Sequence, residues 1–331
     1  MIIDTFTHLM PPEIFEAMNR IAPDLADVGK RVRNLRPIWD LDARFRTMDG
    51  YGDYRQIVCL PHPPLEEFAP PDVGPELMRI GNDALADICA AHKDRFAGFV
   101  AGLYMKDVDA CLAEIDRAIT ALGACGVQMY SNVDGRPLDE PEFAPLFDAV
   151  GKHKLPIWLH PARTAETPDY KTEKLSRFDA WSRFGWPYET SVAMYRIVLS
   201  GAFDRSAVTV IAHHCGAMLP FFEGRVARGF ATAGARSRDT DYVDRIKGLK
   251  RPPMDYFRDC FYGDTALSGG SIGLKCGLEF FGADHILFAS DAPFNDVRAP
   301  LEAFKSLNLD AKSNEAIYVK NAERLLRRKL V

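Results

Sequence analysis

The chain has 331 residues, of which 47% are hydrophobic and 26% are charged, and its formal net charge is -5 at pH 7. This composition predicts a globular protein with a large core and excludes extensive disorder, while the acidic balance argues against nucleic acid or an anionic membrane as a partner. The seven cysteines include no C-x-x-C pair, and the first residues lack a basic segment followed by an apolar one. We therefore expect buried thiols and a cytoplasmic location.

Eight short apolar segments recur along the chain and are interpreted as strands. Helix-like segments separate most of them, as at 76–91, 108–122, 143–150 and 193–199. Apolar strands that alternate with amphipathic helices favour an α/β fold, here a closed (β/α)8 TIM-type barrel, and no Gly-x-Gly-x-x-Gly follows the first strand to suggest a dinucleotide-binding sheet. The predicted strands are 2–4, 56–60, 97–101, 127–129, 156–160, 208–213, 260–263 and 286–290.

A minimal barrel needs roughly 250 residues, so this chain has room for insertions. We predict a single barrel domain over residues 1–331, with active-site extensions at 10–50, 161–190 and 223–258. Each extension follows a strand that carries a candidate ligand. Barrels of this type build their sites from the loops at the C-terminal ends of their strands.

Four of the predicted strands end on side chains that can bind a metal. His8 and His160 follow the first and fifth strands, His213 and His214 follow the sixth, and Asp291 follows the eighth. A single histidine or aspartate at such a position is usually structural, but in a barrel these four ends converge on one axis, so together they predict a site for one ion. Imidazoles with a carboxylate suit Zn²⁺, Mn²⁺ or Fe²⁺.

Several fragments extend this pattern into a family resemblance. They are residues 3–8 (IDTFTH) with Pro11, 44–49 (RFRTMD), 156–161 (PIWLHP), 184–190 (FGWPYET), 214–216 (HCG) with Leu219 and Pro220, 262–266 (YGDTA), 287–294 (LFASDAPF) and 321–326 (NAERLL). With these fragments the chain resembles the amidohydrolase-related (amidohydrolase 2) family, which includes the decarboxylases of α-amino-β-carboxymuconate-ε-semialdehyde, γ-resorcylate and 5-carboxyvanillate. The resemblance spans almost the whole chain.

The resemblance implies roles for particular residues. The metal ligands fall on His8, His160 and Asp291, and Asp291 also moves a proton to or from the substrate carbon. His214 is the histidine that holds the metal-bound water or contacts a substrate oxygen. His213 is assigned a supporting place behind the ligands, with a direct role as the alternative, because neighbouring strand residues point to opposite faces.

Position 6 departs from the resemblance, since relatives have histidine or glutamate there and Phe6 cannot bind a metal. Three consequences are open. The ion still binds through three protein ligands, with a net positive charge that favours an anionic substrate; or it binds weakly; or the site works without metal or does not catalyse. Zn²⁺ is the expected ion, with Mn²⁺ as the alternative.

Five residues are predicted to contact the substrate. Arg44 matches an arginine that holds the substrate carboxylate in the semialdehyde decarboxylases, and a planar guanidinium suits that role. Arg163 and Arg225 are further carboxylate partners, while Trp186 and Phe6 would line a cavity for an aromatic or conjugated ring. For Arg163 and Arg225 the alternative is surface ion pairing, and for Trp186 it is simple packing. The other basic residues between 30 and 46 are interpreted as a solvated face.

The function that the resemblance implies is a metal-dependent lyase that removes CO₂ from a small aromatic or muconate-type carboxylic acid. Hydrolysis of an amide, lactone, ester or C-C bond is the alternative, since the same ligands would activate water. A second alternative is a non-catalytic binding barrel, motivated by Phe6. The expected partners are a small-molecule carboxylate and a second copy of the chain, which the resemblance implies as a homodimer.

Overall fold

The eight predicted strands form a ring of parallel strands in the computed structural model, which describes residues 1–330. Pairing runs β1-β2-β3 in one arc and β4-β7-β8-β9-β10 in the other, while β5 and β6 form a separate small hairpin. The strands are β1 (Ile2–His8), β2 (Tyr54–Cys59), β3 (Phe96–Phe99), β4 (Val127–Tyr130), β5 (Asn132–Val133), β6 (Arg136–Pro137), β7 (Pro156–His160), β8 (Thr209–Ala212), β9 (Phe261–Asp264) and β10 (Ile286–Leu287).

Two sets of contacts join the arcs into a barrel. A parallel bridge between Ala101 and Val127 connects the end of β3 to β4. On the other side, the backbone N–H of Thr5 donates to the carbonyl of Phe288 at 2.9 Å, and the N–H of Asp291 donates to the carbonyl of Phe6 at 3.2 Å. The predicted (β/α)8 barrel is confirmed, and its last strand continues in barrel contacts beyond Leu287 without regular ladder pairing.

A buried carboxylate reinforces the β1-β10 seam. Asp4, fully buried, accepts hydrogen bonds from the N–H of Ser290 at 3.0 Å and from the hydroxyls of Ser290 and Tyr54, each at 2.5 Å. Burial opposes its charge, and the pKa of Asp4 is raised to about 6 despite these donors. The hydrogen bonds hold Ser290, and therefore the neighbouring Asp291, against the first strand.

The helices pack around the ring and fill the insertions. The helices predicted at 76–91, 108–122 and 143–150 are α5, α6 and α7, and α8 begins at Trp186 rather than at 193. The α-helices are α1 (Pro12–Ile21), α2 (Asp27–Asn34), α3 (Leu41–Met48), α4 (Leu65–Phe68), α5 (Gly74–Ala91), α6 (Val108–Thr120), α7 (Ala144–His153), α8 (Trp186–Leu199), α9 (Ala202–Arg205), α10 (Glu223–Ala231), α11 (Tyr242–Gly248), α12 (Pro253–Asp259), α13 (Ser271–Phe281), α14 (Arg298–Lys305), α15 (Ala311–Glu315) and α16 (Asn321–Leu326).

The three predicted extensions have different structures. Residues 10–50 form α1, α2 and α3 with short 3₁₀ turns at Arg36–Ile38 and Asp49–Tyr51, and residues 223–258 form α10, α11 and nearly all of α12. Residues 161–180 are irregular and lead into a π turn at Trp181–Gly185 before α8 begins. All three follow strands whose C-terminal ends carry candidate ligands, so they surround the same end of the barrel.

The opposite end of the barrel is closed by the C-terminal segment. Val319, Ala322, Leu326 and Leu330 pack into one buried cluster with barrel-interior side chains such as Ile3. Further buried apolar side chains fill the layer between the strands and the helices. This plug fills the barrel interior at the end opposite the candidate ligands.

Among residues 1–330, none of the helices combines the length and the apolar character needed to span a bilayer.

Glu66 is a second buried carboxyl, located in α4. Its Oε1 accepts a hydrogen bond from the backbone N–H of Met105 at 2.5 Å, whereas Oε2 has no hydrogen-bonding partner within residues 1–330. Burial raises the pKa of Glu66 to about 7. Between about pH 4.5 and 7 the folded protein therefore retains a proton that the unfolded chain has lost, and this contribution to stability disappears as the pH rises through 7.

We predict that Glu66→Gln removes this pH dependence. At pH 8 the buried, ionised Glu66 lowers the free energy of unfolding by up to about 3 kcal/mol, because burial raises its pKa. The neutral amide of the variant keeps the hydrogen bond from Met105 without a buried charge. The variant should therefore be more stable than the native protein at pH 8, and the difference should shrink toward pH 5. Urea unfolding at the two pH values measures it, with Glu16→Gln on the exposed face of α1 as the control. A pH-independent difference would contradict the assignment.

Candidate metal centre

Three predicted ligands and one neighbouring histidine lie together at the C-terminal end of the barrel. His8 ends β1, His160 ends β7, His213 follows β8 and Asp291 follows β10. One ring nitrogen from each of His8, His160 and His213 lies within 4.8 Å of the others, and all three residues are buried. The Oδ1 of Asp291 lies 3.1 Å from Nε2 of His8 and 3.6 Å from Nε2 of His213. The convergence of strand ends thus brings one carboxylate and three imidazoles together.

The three imidazole rings are oriented by their Nδ1 atoms. Nδ1 lies 3.3 Å from the carbonyl of Leu60 in His8 and 2.7 Å from the carbonyl of Pro161 in His160. In His213 it lies 2.6 Å from Oδ2 of Asp264. Because these oxygens only accept, each Nδ1 donates and each Nε2 is left to take a proton or a metal.

The geometry of the cluster calls for a cation. The Nε2 atoms of His8 and His213 have no hydrogen-bonding partner within the described residues 1–330. With Nδ1 donating, the Nε2 of a neutral His8 presents a lone pair to the carboxylate oxygen of Asp291 only 3.1 Å away. Two facing acceptors repel each other unless a positive charge lies between them. The residues therefore fit a divalent metal ion.

The pKa values of the cluster residues also indicate that a cation would be stabilised there. Burial lowers the pKa of His160 well below its usual range, and neighbouring histidines add to that effect. Burial would also lower the pKa of His213, but the carboxylates of Asp264 and Asp291 outweigh it and raise that pKa to about 9. Burial would raise the pKa of Asp291, yet His213 and His8 hold it well below its usual range. The metal-free cluster is thus an ionised carboxylate beside imidazoles that can accept a cation.

The position of His213 corrects the expectation that it lies behind the ligands. The chain leaves the extended conformation after Ala212, and His214 has a φ of +58°. This left-handed turn ends the strict alternation of faces, so the rings of His213 and His214 lie on the same side with their centroids 3.9 Å apart. His213 faces His8 and His160, while His214 lines the pocket above them.

Asp264 and a tight helix contact hold this turn. Asp264 also accepts hydrogen bonds through Oδ1 from the backbone N–H groups of Cys215 and Ala266, each at 3.0 Å. On the outer side, a Cβ added to Gly277 of α13 would lie 2.1 Å from Sγ of Cys215. The buried Cys215 thus packs against helix backbone, and burial raises the pKa of its thiol, which is unlike an activated nucleophile.

Phe6 lies beneath the imidazoles rather than in a substrate pocket. Its side chain is completely buried, and its ring centroid lies 3.9 Å from that of His213, 5.6 Å from His8 and 6.0 Å from His160. The predicted substrate contact at Phe6 is therefore corrected, because its ring is completely buried against the histidines and does not line the open pocket. Phe6 instead forms an apolar floor under the candidate ligands.

A pocket of about 460 Å³ opens above Asp291, a volume in the range of small-molecule sites. Trp186 lines it, and the Nε1 of Trp186 donates to the carbonyl of Arg163 at 2.8 Å. The amide of Asn295 donates to Oδ2 of Asp291 at 3.0 Å and so orients the carboxylate. Further lining residues include Arg31, Trp181 and His214.

The three predicted arginines do not line this pocket. Arg44 is buried, and its guanidinium donates to Gln56, to the carbonyl of His8 and to the hydroxyl of Thr7. This corrects its predicted carboxylate contact, because its donors are occupied within the fold. Arg163 lies behind Trp186 and approaches Asp169 at 3.7 Å. Arg225 is exposed on α10.

Sequence reasoning missed three residues of the site. Arg31 was assigned to a solvated face, but it lines the pocket, where its guanidinium donates to the carbonyl of Phe294 at 2.6 Å and lies 4.9 Å from that ring. Asn295 could have been suspected from its place four residues after Asp291. His62 is buried, with ring centroids 6.1 Å from His160 and 5.7 Å from Trp186, and burial lowers its pKa to about 3.

Comparison with known proteins places these features in context. The sequence profile of the amidohydrolase family matches residues 3–328. The chain is 29% identical to the gamma-resorcylate decarboxylase of Rhizobium sp. (strain MTP-10005), over 86% of each protein. The crystal structure of a 2,6-dihydroxybenzoate decarboxylase from Rhizobium is similar, with 26% identity, a TM-score of 0.80 and 98% of each chain covered. A dihydroxybenzoic acid decarboxylase from Polaromonas sp. JS666, bound to manganese and 2-nitroresorcinol, has 25% identity and a TM-score of 0.78, covering 98% of this chain and 96% of that one.

We predict that Gly277→Ala destabilises the protein by about 1 to 3 kcal/mol, because the new methyl group would overlap Sγ of Cys215. Cys215→Ala removes that sulfur and should relieve the clash in the double variant. Urea unfolding of the native protein, both single variants and the double variant forms a complete cycle. Costs that simply add in the double variant would show that the two sites do not touch.

Proposed function

We propose that this protein, which belongs to the amidohydrolase family, is a metal-dependent decarboxylase of small aromatic carboxylic acids. The observation that carries the proposal is the ionised carboxylate of Asp291, which lies between a cluster of imidazoles that fits a cation and a pocket with an aromatic wall. The similarity to gamma-resorcylate decarboxylase over 86% of the chain supports the same class of reaction. Hydroxylated benzoates are therefore the proposed substrates.

The metal would be held by His8, His160 and Asp291, as the sequence suggested. When bound, a divalent ion supplies Lewis-acid stabilisation to an oxygen of the substrate carboxylate or of an adjacent hydroxyl. Imidazole and carboxylate ligands suit both Zn²⁺ and Mn²⁺. We propose Zn²⁺ with Mn²⁺ as the alternative, and the manganese in the Polaromonas relative supports testing both.

Asp291 is the proposed proton carrier. A benzoate loses CO₂ after the ring carbon that bears the carboxylate gains a proton, because cleavage of the C-C bond then returns its electron pair to the ring. Asp291 is ionised in the metal-free protein, so it must first accept a proton from solvent or from a substrate hydroxyl and then pass it to carbon. Asn295 holds Oδ2 of Asp291 at 3.0 Å, which orients the carboxylate for this transfer.

The pocket walls would position the ring of the substrate. Trp186 offers a flat apolar surface, and its ring is nearly parallel to that of His214, with an interplanar angle of 20° and centroids 6.4 Å apart. His214, neutral because burial lowers its pKa to about 3, is placed to exchange hydrogen bonds with a substrate oxygen. Arg31 adds a permanent positive charge at the pocket wall, where an anionic group would be attracted.

We also propose a cytoplasmic homodimer. All seven cysteines are free thiols, which supports a reducing compartment. Exposed aromatic side chains lie on the segments after β7 and β8, among them Phe178, Phe184 and Phe221. Arg225 is exposed on α10, which follows the second of these segments, so a second copy packed there would cover both the aromatic surface and this arginine. Sedimentation equilibrium tests the dimer.

The decarboxylase proposal predicts CO₂ release from 2,6-dihydroxybenzoate by protein reconstituted with Zn²⁺ or Mn²⁺. Asp291→Asn should lower kcat at least about 100-fold, because the amide cannot carry the proton. Asp296→Asn, in the same loop but pointing to Tyr51, is the control and should keep kcat within about twofold. Base-consuming hydrolysis of amide or lactone probes without CO₂ release would replace this proposal with the hydrolase alternative.

Arg31→Gln should raise KM for these benzoates about tenfold while leaving kcat nearly unchanged, because it removes a charge-assisted contact that is present before and during the reaction. Lys30→Gln is the matched control, since Lys30 is an exposed neighbour in α2 outside the set of pocket-lining residues. Initial rates over a range of substrate concentrations separate KM from kcat. An equal KM in the two variants would remove Arg31 from the substrate site.

A further inference from the structure

We propose that His213 is itself a metal ligand, so that the centre consists of three imidazoles and one carboxylate, with Asp264 as the residue that positions His213. This inference rests on the metal dependence in the proposed function and names the ligand set of that same site. The starting observation is that the buried Nε2 of His213 lacks a hydrogen-bonding partner within residues 1–330 and points into the cluster formed with His8 and His160.

The distances match ligands that share one ion. A tetrahedral ion with bonds of about 2.0 to 2.1 Å holds neighbouring ligand atoms roughly 3.3 Å apart. Oδ1 of Asp291 lies 3.1 Å from Nε2 of His8 and 3.6 Å from Nε2 of His213, which brackets that value. The same carboxylate oxygen therefore stands at ligand-to-ligand distance from both imidazoles.

Asp264 holds His213 in the orientation that a ligand needs. Its Oδ2 accepts from Nδ1 of His213 at 2.6 Å, and its Oδ1 accepts from two backbone N–H groups at 3.0 Å, so neither oxygen is free to move. Both Asp264 and His213 are completely buried. A carboxylate behind a ligating histidine fixes the tautomer and increases the basicity of the other ring nitrogen.

Phe6 completes the support from below. Its ring lies 3.9 Å from the ring of His213 with an interplanar angle of 32°, so His213 cannot turn away from the cluster without displacing a fully buried phenylalanine. Position 6 cannot supply a ligand, but the space beneath the cluster is filled by a side chain that packs against another ligand. The missing ligand at position 6 and the proposed ligand at position 213 are thus parts of one arrangement, in which Phe6 packs against His213.

His214 is the competing candidate, and its surroundings differ. It can approach His213 and Asp291, but the group that includes His8 and His160 contains His213 and not His214. His214 instead lines the pocket and stacks on Trp186. The two neighbouring histidines therefore have different roles: His213 faces the metal site, and His214 faces the substrate pocket.

The test measures the affinity of the purified full-length protein for Co²⁺ and Zn²⁺ by chelator competition, together with the absorption spectrum of the Co²⁺ form. His213→Ala should weaken binding about 100-fold or more and alter the Co²⁺ spectrum, whereas His214→Ala should change the affinity by less than about threefold. Asp264→Asn should weaken binding about 10- to 100-fold and shift the spectrum, which a purely structural role would not do.

Further variants keep the inference falsifiable. If His213→Ala does not fold, His213→Asn provides the same comparison, with urea unfolding of the metal-free proteins as the check on folding. Unchanged affinity in the His213 variants, or a large loss only in His214→Ala, would overturn the inference, as would a native protein that binds none of Co²⁺, Zn²⁺ or Mn²⁺. Native protein that binds metal through His213 but releases no CO₂ from any benzoate would instead reject the proposed function and leave the ligand assignment standing.

Discussion

The hydrogen-bonded seam between the first and last strands is the constraint on which the site depends. Asp4 accepts from both the backbone and the hydroxyl of Ser290, a residue 286 positions further along the chain. Four residues after Asp4 comes His8, and directly after Ser290 comes Asp291. The closeness of these two ligands, 3.1 Å between Nε2 and Oδ1, is therefore a consequence of how the barrel closes. A buried carboxylate whose own charge is disfavoured by burial serves as the clamp.

The cluster places several buried charged and polar groups close together at one end of the barrel. The Nε2 of His8 faces Oδ1 of Asp291, and a second carboxylate, Asp264, lies immediately behind His213. Such groups are stable together only when positive charge is shared among them. Phe6 does not add to this unfavourable electrostatic energy, because an apolar ring brings neither a charge nor an unpaired hydrogen-bonding group beneath the histidines. An anionic side chain at that position would have added a further buried negative charge.

The sequence predicted the barrel and the meeting of His8, His160 and Asp291, because the ends of parallel strands must converge whatever the side-chain packing. The orientation of His213 could not be predicted in the same way, since face alternation holds only while the backbone stays extended, and it ends at the left-handed His214. The burial of Arg44 could not be predicted from the sequence either, because it depends on how α3 packs against β1 and β2. His62 precedes Pro63 just after β2, as His160 precedes Pro161, so the strand-end signal was present there and was overlooked.

The plug at the bottom of the barrel has a consequence for the order in which the protein is made. Ile3 and Leu330 meet in the same buried cluster, and the seam joins residues 4 and 290, so neither the interior nor the ring can be completed until the ribosome has released nearly the whole chain. Contacts between such distant residues are slow to form because a long loop must close first. The nascent protein must therefore carry an open arc of strands, with exposed edges, through most of its synthesis. The metal centre can assemble only after Asp291 has been made, and the plug that closes the opposite end follows it.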